Sequence, residues 1–82
     1  MERRRTPRVA VSEDGAIVYG LSKAARCIIQ NISQQGACLE VSAPHDPVAL
    51  PGEFVLYRPS ARSMRNCRVV WRAFQRIGVE FK

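Results

Sequence analysis

The chain is poor in what several large classes of protein require. No apolar run approaches the roughly 18 residues of a membrane helix, and no hydrophobic core of a signal peptide follows the basic N-terminus; the expectation is a cytoplasmic protein with no membrane span. There is one histidine, His45, and it lies far from the three cysteines, Cys27, Cys38 and Cys67. No pair of cysteines has C-x-x-C spacing, so a zinc site lacks its ligands and no metal is expected. An odd number of cysteines, each inside a hydrophobic run, reads as packed free thiols in a reducing compartment. Acidic residues are also scarce: seven Asp and Glu against 13 Lys and Arg leave a formal net charge of +6. That surplus points to an anionic partner, whether nucleic acid, a nucleotide or an acidic membrane surface. Lysine itself is nearly missing, with Lys23 and Lys82 the only two.

A helical period is missing as well. What fills the chain is a set of short apolar runs separated by turn residues, the pattern of strands. Ala16–Tyr19 follows Asp14-Gly15, a common tight-turn pair. Arg26–Ile32 leads into the polar loop Ser33–Gly36. In Ala37–Val41 the alternation sets Ala37, Leu39 and Val41 on one face, with Cys38 and Glu40 on the other. Phe54–Tyr57, Asn66–Phe74 and Ile77–Phe81 complete the set. Leu21–Arg26 has room for a single helical turn, and Ser42–Pro51, with three prolines, reads as an extended connection. With 82 residues there is room for one modest core, and 46% hydrophobic with 24% charged residues excludes a disordered polymer. The expected fold is all-β: a small antiparallel six-stranded barrel without a clear C-terminal helix, closed so that no edge is exposed. Residues 1–82 form one domain, with 1–9 a flexible basic arm and 10–82 the barrel.

Two polar stretches stand apart from this framework. The first is the arm, where Arg3, Arg4, Arg5 and Arg8 crowd around Pro7. Proline restricts its own φ and biases Thr6 toward extended backbone, which lowers the entropy lost when the arm closes on something. The second is Asn31-Ile32-Ser33-Gln34-Gln35-Gly36. Locally it is a hairpin loop, with Asn31 and Ser33 bonding to nearby backbone and Gly36 supplying a positive φ.

Together these stretches resemble the PilZ domain family, marked by R-R-x-x-R near the N-terminus and [D/N]-x-S-x-x-G in a loop between barrel strands. Arg4-Arg5-Thr6-Pro7-Arg8 fits the first motif and Asn31–Gly36 the second, in the right order and at the right separation. The first would arise by chance in about one shuffled chain in five, the second in about one in sixty. Cys67–Arg72 and Gly78–Phe81 look like the family's last two barrel strands, so the likeness covers nearly the whole chain. One departure is that many members carry a helix after the final strand, which leaves the cover of one barrel mouth, and dimerisation, open.

The resemblance implies a regulatory domain that binds cyclic di-GMP, clamped between the arm (Arg4, Arg5, Arg8) and the loop (Asn31, Ser33, Gly36). Arg3 and Trp71 are further candidates, Arg3 for stacking on a second nucleotide. No cofactor is implied besides this ligand, and the partner is an unidentified downstream protein, with the domain a monomer or a weak homodimer. Arginine suits the ligand chemically: its fork matches phosphate and the guanine O6/N7 edge, and its plane stacks on a base.

Trp71 reads as a half-buried barrel tryptophan or a stacking platform. Arg58, Arg62, Arg65, Arg68, Arg72 and Arg76 read mostly as solvated charges, and His45 as an exposed loop residue. Phe54, Phe74 and Phe81 are assigned to the core. No catalytic constellation is present: Ser33 has no nearby base, and Glu13, Asp14, Asp46 and Glu53 fall at turns, so no enzyme is expected. Two alternatives remain, a protein-interaction barrel without nucleotide binding and a small basic barrel for single-stranded nucleic acid. The second needs several exposed aromatics and is not expected.

Overall fold

A computed structural model describes residues 9–43 and 45–82. Six strands run in chain order: β1 (Val9–Tyr19), β2 (Lys23–Ile32), β3 (Gly36–Val41), β4 (Glu53–Arg58), β5 (Ser63–Ala73) and β6 (Arg76–Phe81). A 3₁₀ turn, Pro47–Ala49, interrupts the connection between β3 and β4. Every pairing is antiparallel, and the strands close in the order β1-β2-β3-β6-β5-β4. The expected all-β barrel is the fold found.

Alternation builds the interior. Ile17, Ala25, Cys27, Ile29, Ala37, Leu39, Val41, Leu56, Cys67, Ile77 and Val79 all point inward and are buried. Full burial of an Ile or Leu side chain contributes about 1.5–3 kcal/mol, and Ile17, Ile29, Leu39, Leu56 and Ile77 are all at 0% exposure. These five are the main hydrophobic stabilisation of a small domain. The three cysteines are free and buried. Burial pushes the Cys27 thiol up to about 12, with the neighbouring Cys67 adding to it, and the Cys67 thiol up to about 11. Both are therefore neutral, unreactive packing groups at physiological pH.

One barrel mouth, the one opposite the end of β6, is covered by the Ser42–Pro51 connection. Asp46 caps the 3₁₀ turn by accepting from the Val48 N–H at 3.0 Å, and Pro47 and Leu50 are buried. Arg72 holds the segment down, donating from Nε to the Pro47 carbonyl (3.2 Å) and from Nη2 to the Leu50 carbonyl (3.0 Å). Gln75 adds a bond from Nε2 to the Val41 carbonyl at 2.9 Å. Arg72, exposed as expected of a solvated charge, is also a fastener.

Four other local expectations are corrected. Asp14-Gly15 is not a turn: β1 runs straight through it, because Gly15 faces the core where Ile29 and Cys27 lie 3.1–3.2 Å from the place a Cβ would take. Glu13 and Asp14 are accordingly strand residues. Leu21–Arg26 makes no helical turn, since the β1–β2 hairpin turns with Gly20 at φ 62 and β2 begins at Lys23. Phe74 is not core: β5 ends at Ala73, and Phe74 stands 98% exposed in the turn to β6 at φ 56.

Candidate functional site

The loop after β2 is built by Ser33. Its Oγ accepts from the N–H groups of Gln35 (3.1 Å) and Gly36 (3.2 Å), while the Ser33 N–H donates to the Gly36 carbonyl at 2.8 Å. A hydroxyl is short enough to serve both donors of a tight loop. The loop is then fastened to the last strand, where the Phe81 N–H donates to the Gln35 carbonyl at 2.7 Å.

Gly36 has a different reason from the expected positive φ. Among the described glycines only Gly20 has one. At Gly36 a Cβ would be driven into the Val79 carbonyl oxygen and would lie 3.2 Å from the Glu80 Cα. The backbone of β3 lies so close to β6 that no side chain fits between them.

The register brings the predicted residues onto one surface. Residues directly opposite on neighbouring strands face the same way. Ala10 pairs with Asn31, Asn31 with Cys38, Cys38 with Gly78, and Gly78 with Trp71. This single row crosses five strands on the outer face, and Asn31 and Trp71 stand roughly 14 Å apart at the usual interstrand spacing. Between them the floor is low, formed by Cys38 and Gly78. A Cβ on Gly78 would collide with the Trp71 indole, so the ring leans across that strand. Trp71 is 42% exposed, a ring with one side on backbone and one toward solvent.

The adjacent row is Gly36, Glu80 and Arg68, with Arg68 and Glu80 ion-paired. A hollow of about 550 Å³ lies here, lined by Gln34, Gln35, Gly36, Val70 and Glu80 among others. It joins the loop to the β5 face. A second hollow of about 360 Å³ borders the loop's other side, beside Ser33, Arg58, Arg65 and Phe81. There Arg65 lies over the Phe81 ring, 4.3 Å from its centre. Arg58 makes a two-pronged pair with Glu13 (3.0 and 2.9 Å), joined by Ser60 Oγ at 2.9 Å. The hydrogen bond from Arg58 holds the Glu13 carboxyl below its ordinary range.

The arm, with Arg3, Arg4, Arg5 and Arg8 and its expected flexibility, lies outside the described residues. Its point of attachment does not. Val9 pairs with Ile32, so the arginine-rich segment joins the barrel at the strand that opens into the Ser33–Gly36 loop. Asn31, Gly36 and Trp71 thereby share one outer face, next to where the arm begins, while Ser33 borders the hollow on the loop's other side. Sequence reading placed Cys38 on this outer face but missed Gly78, the other small residue that keeps it low; glycine opposite tryptophan in adjacent strands was the available signal. Among the described residues no three His, Cys, Asp or Glu side chains gather as a metal site. Among the described residues no helix is long and apolar enough to cross a membrane.

No curated protein matches the chain at a significant level. Residues 2–82 match the profile of the PilZ domain, and with that span covering almost every residue, motif arm and barrel alike, the chain belongs to the PilZ domain family.

Proposed function

We propose that this domain is a cyclic di-GMP receptor that works by binding rather than by catalysis. The observation that carries the reading is the register that attaches the arm at Val9 beside Ile32, on the face shared by Asn31, Gly36 and Trp71. Arg4, Arg5 and Arg8 supply guanidinium forks for phosphate and guanine edges. Ser33 and Gly36 shape the loop, Asn31 offers a polar side chain beside it, and Trp71 offers a ring for stacking. Arg3 stands just ahead of the motif as a stacking group for a second nucleotide. The domain acts in the cytoplasm of a bacterium as a monomer or weak dimer, and ligand closure alters the surface seen by a downstream protein. Coupling of this kind is reciprocal and typically about 1–3 kcal/mol.

The test is calorimetric titration with cyclic di-GMP, against GMP and a short oligonucleotide. Cyclic di-GMP should bind alone among the three. Arg4→Ala, Arg5→Ala and Arg8→Ala should each weaken it by about 1–3 kcal/mol with the melting midpoint unchanged. A preference for the oligonucleotide would move the function to single strands, a reading for which exposed Phe74 and Trp71 supply two aromatic surfaces. Binding of none of the three would leave a protein-interaction module.

A further inference from the structure

We propose that the end of the barrel closed by the Ser42–Pro51 connection docks onto an anionic membrane surface. Because the strands alternate in direction, the β1–β2 turn, the 3₁₀ turn and the β5–β6 turn all lie at this end. Each carries one large apolar side chain in solvent: Leu21 at 105%, Val48 at 74% and Phe74 at 98% exposure. At the opposite end the turns 33–36 and 59–62 carry no large exposed hydrophobic residue among the described residues, and Met64, at the start of β5, stands alone there at 62% exposure. The asymmetry is not a general lack of interior space.

Phe74 makes the point twice. A fully exposed phenylalanine gains nothing from burial, and its φ of 56 is a conformation that disfavours any residue with a Cβ. Neither feature serves the isolated barrel. Gln75, its neighbour, bonds to the carbonyls of Val41 and His45, so the ring is presented from a fastened turn.

Charge identifies the surface that these tips meet. Lys23 follows Leu21 by two residues, Arg76 follows Phe74 by two, and Arg26 stands outward on β2. None of the three forms an ion pair among the described residues. Of the acids nearby, Glu53 is paired with Lys82, while Asp46 caps Val48 and Glu40 accepts from Gln30 and both keep their charge, so the three cations outnumber two unpaired carboxylates. A second copy of this chain would bring like charges together. Three separate apolar tips inside a basic collar fit an interface where single side chains enter between headgroups and cations meet anionic lipid. The bound state puts the Asn31–Gly36 loop at the far end, away from the bilayer, while Trp71 borders the same hollow as Phe74 and Arg76 and is the one group that docking and the nucleotide reading share.

The experiment is flotation of the full chain with vesicles of phosphatidylcholine and phosphatidylserine, against phosphatidylcholine alone. The protein should float with the anionic vesicles only, and less as salt is raised. A Leu21→Ser, Phe74→Asn double variant should bind at least tenfold more weakly with an unchanged melting midpoint, since asparagine tolerates positive φ. In a Phe74→Trp, Trp71→Phe variant the emission should shift to shorter wavelength on adding anionic vesicles. Failure to float would overturn the proposal, as would equal flotation on phosphatidylcholine alone. Undiminished binding by the double variant would also overturn it, because the arginines of residues 3–8 would then account for the attraction.

Discussion

At the closed end of the barrel, Arg72 has its guanidinium against the carbonyls of Pro47 and Leu50. At the loop end three described arginines are differently occupied: Arg58 by Glu13, Arg65 by the face of Phe81, Arg68 by Glu80. The same side chain is a fastener in one place and a paired surface charge in another, depending on which acceptors lie within reach. A count of arginines therefore says little about anion binding. Arg62, in the 59–62 turn, is exposed and carries no ion pair among the described residues, so on the proposed reading the positive charge for a phosphate at this end is that of Arg62 and of the arm attached there.

The sharpest way to test this division is to damage each end separately. Gly36→Ala drives a Cβ into the Val79 carbonyl, and backbone cannot swing aside; a loss of about 2–3 kcal/mol in denaturant unfolding is expected, with nucleotide binding lost too. Gly78→Ala meets only the Trp71 ring, which can rotate away, so it should cost about 1 kcal/mol and show as a change in tryptophan emission. At the other end, Arg72→Leu removes both bonds to the connection and should cost about 2 kcal/mol while leaving nucleotide affinity as it was. Loss of affinity in Arg72→Leu would show that the two ends are coupled.

Smaller effects come from pH. The Cys27 and Cys67 thiols ionise only near 12 and 11 in the folded chain, against an ordinary value of 9. Their neutral burial supports the fold below pH 9, and that support is lost as pH climbs from 9 toward 12. Thermal melts should show an alkaline decline, reduced in Cys27→Ala relative to that variant's own neutral stability. Glu13 works in the opposite direction. Its carboxyl is held below 4.5 by the Arg58 hydrogen bond, so its contribution is present above 4.5 and fades as pH falls through the folded value. Glu13→Gln should flatten that acid limb of the melting profile, the smallest change of the series.

The six strands were legible because short apolar runs between turn residues mark them, with strict alternation in β3. Ala37, Leu39 and Val41 are buried as their spacing predicts. The failures have local causes. Continued alternation from Cys67 and Val69 would turn Trp71 inward, but a bulge between Val69 and Trp71 adds one residue and sends the indole outside. The same shift turns Arg72 to the barrel mouth, which no periodicity announces. Phe74 was assigned inside because an aromatic at the end of an apolar run looks like core, and no local rule places phenylalanine at positive φ. Asp14-Gly15 read as a turn because the pair is common there; the contact with Ile29 and Cys27 that fixes it in a strand is long-range. Ser33 and Gly36 were legible as a loop, but the need for glycine lies in β6, 43 or more residues away.

The barrel consists of two three-stranded meanders, β1–β2–β3 and β4–β5–β6, sewn together along two lines. One line, β3 with β6, has five residue pairs; the other, β1 with β4, has three, Ala16–Val18 against Val55–Tyr57. Pairings within a meander close short loops and form early, whereas both sewing lines close long ones. The β1–β4 line is then the zip of the molecule, last shut in folding and first to part. Native-state hydrogen exchange should find the bonds joining β1 to β4 opening at lower free energy than those joining β4 to β5, with each meander still intact on either side of the gap.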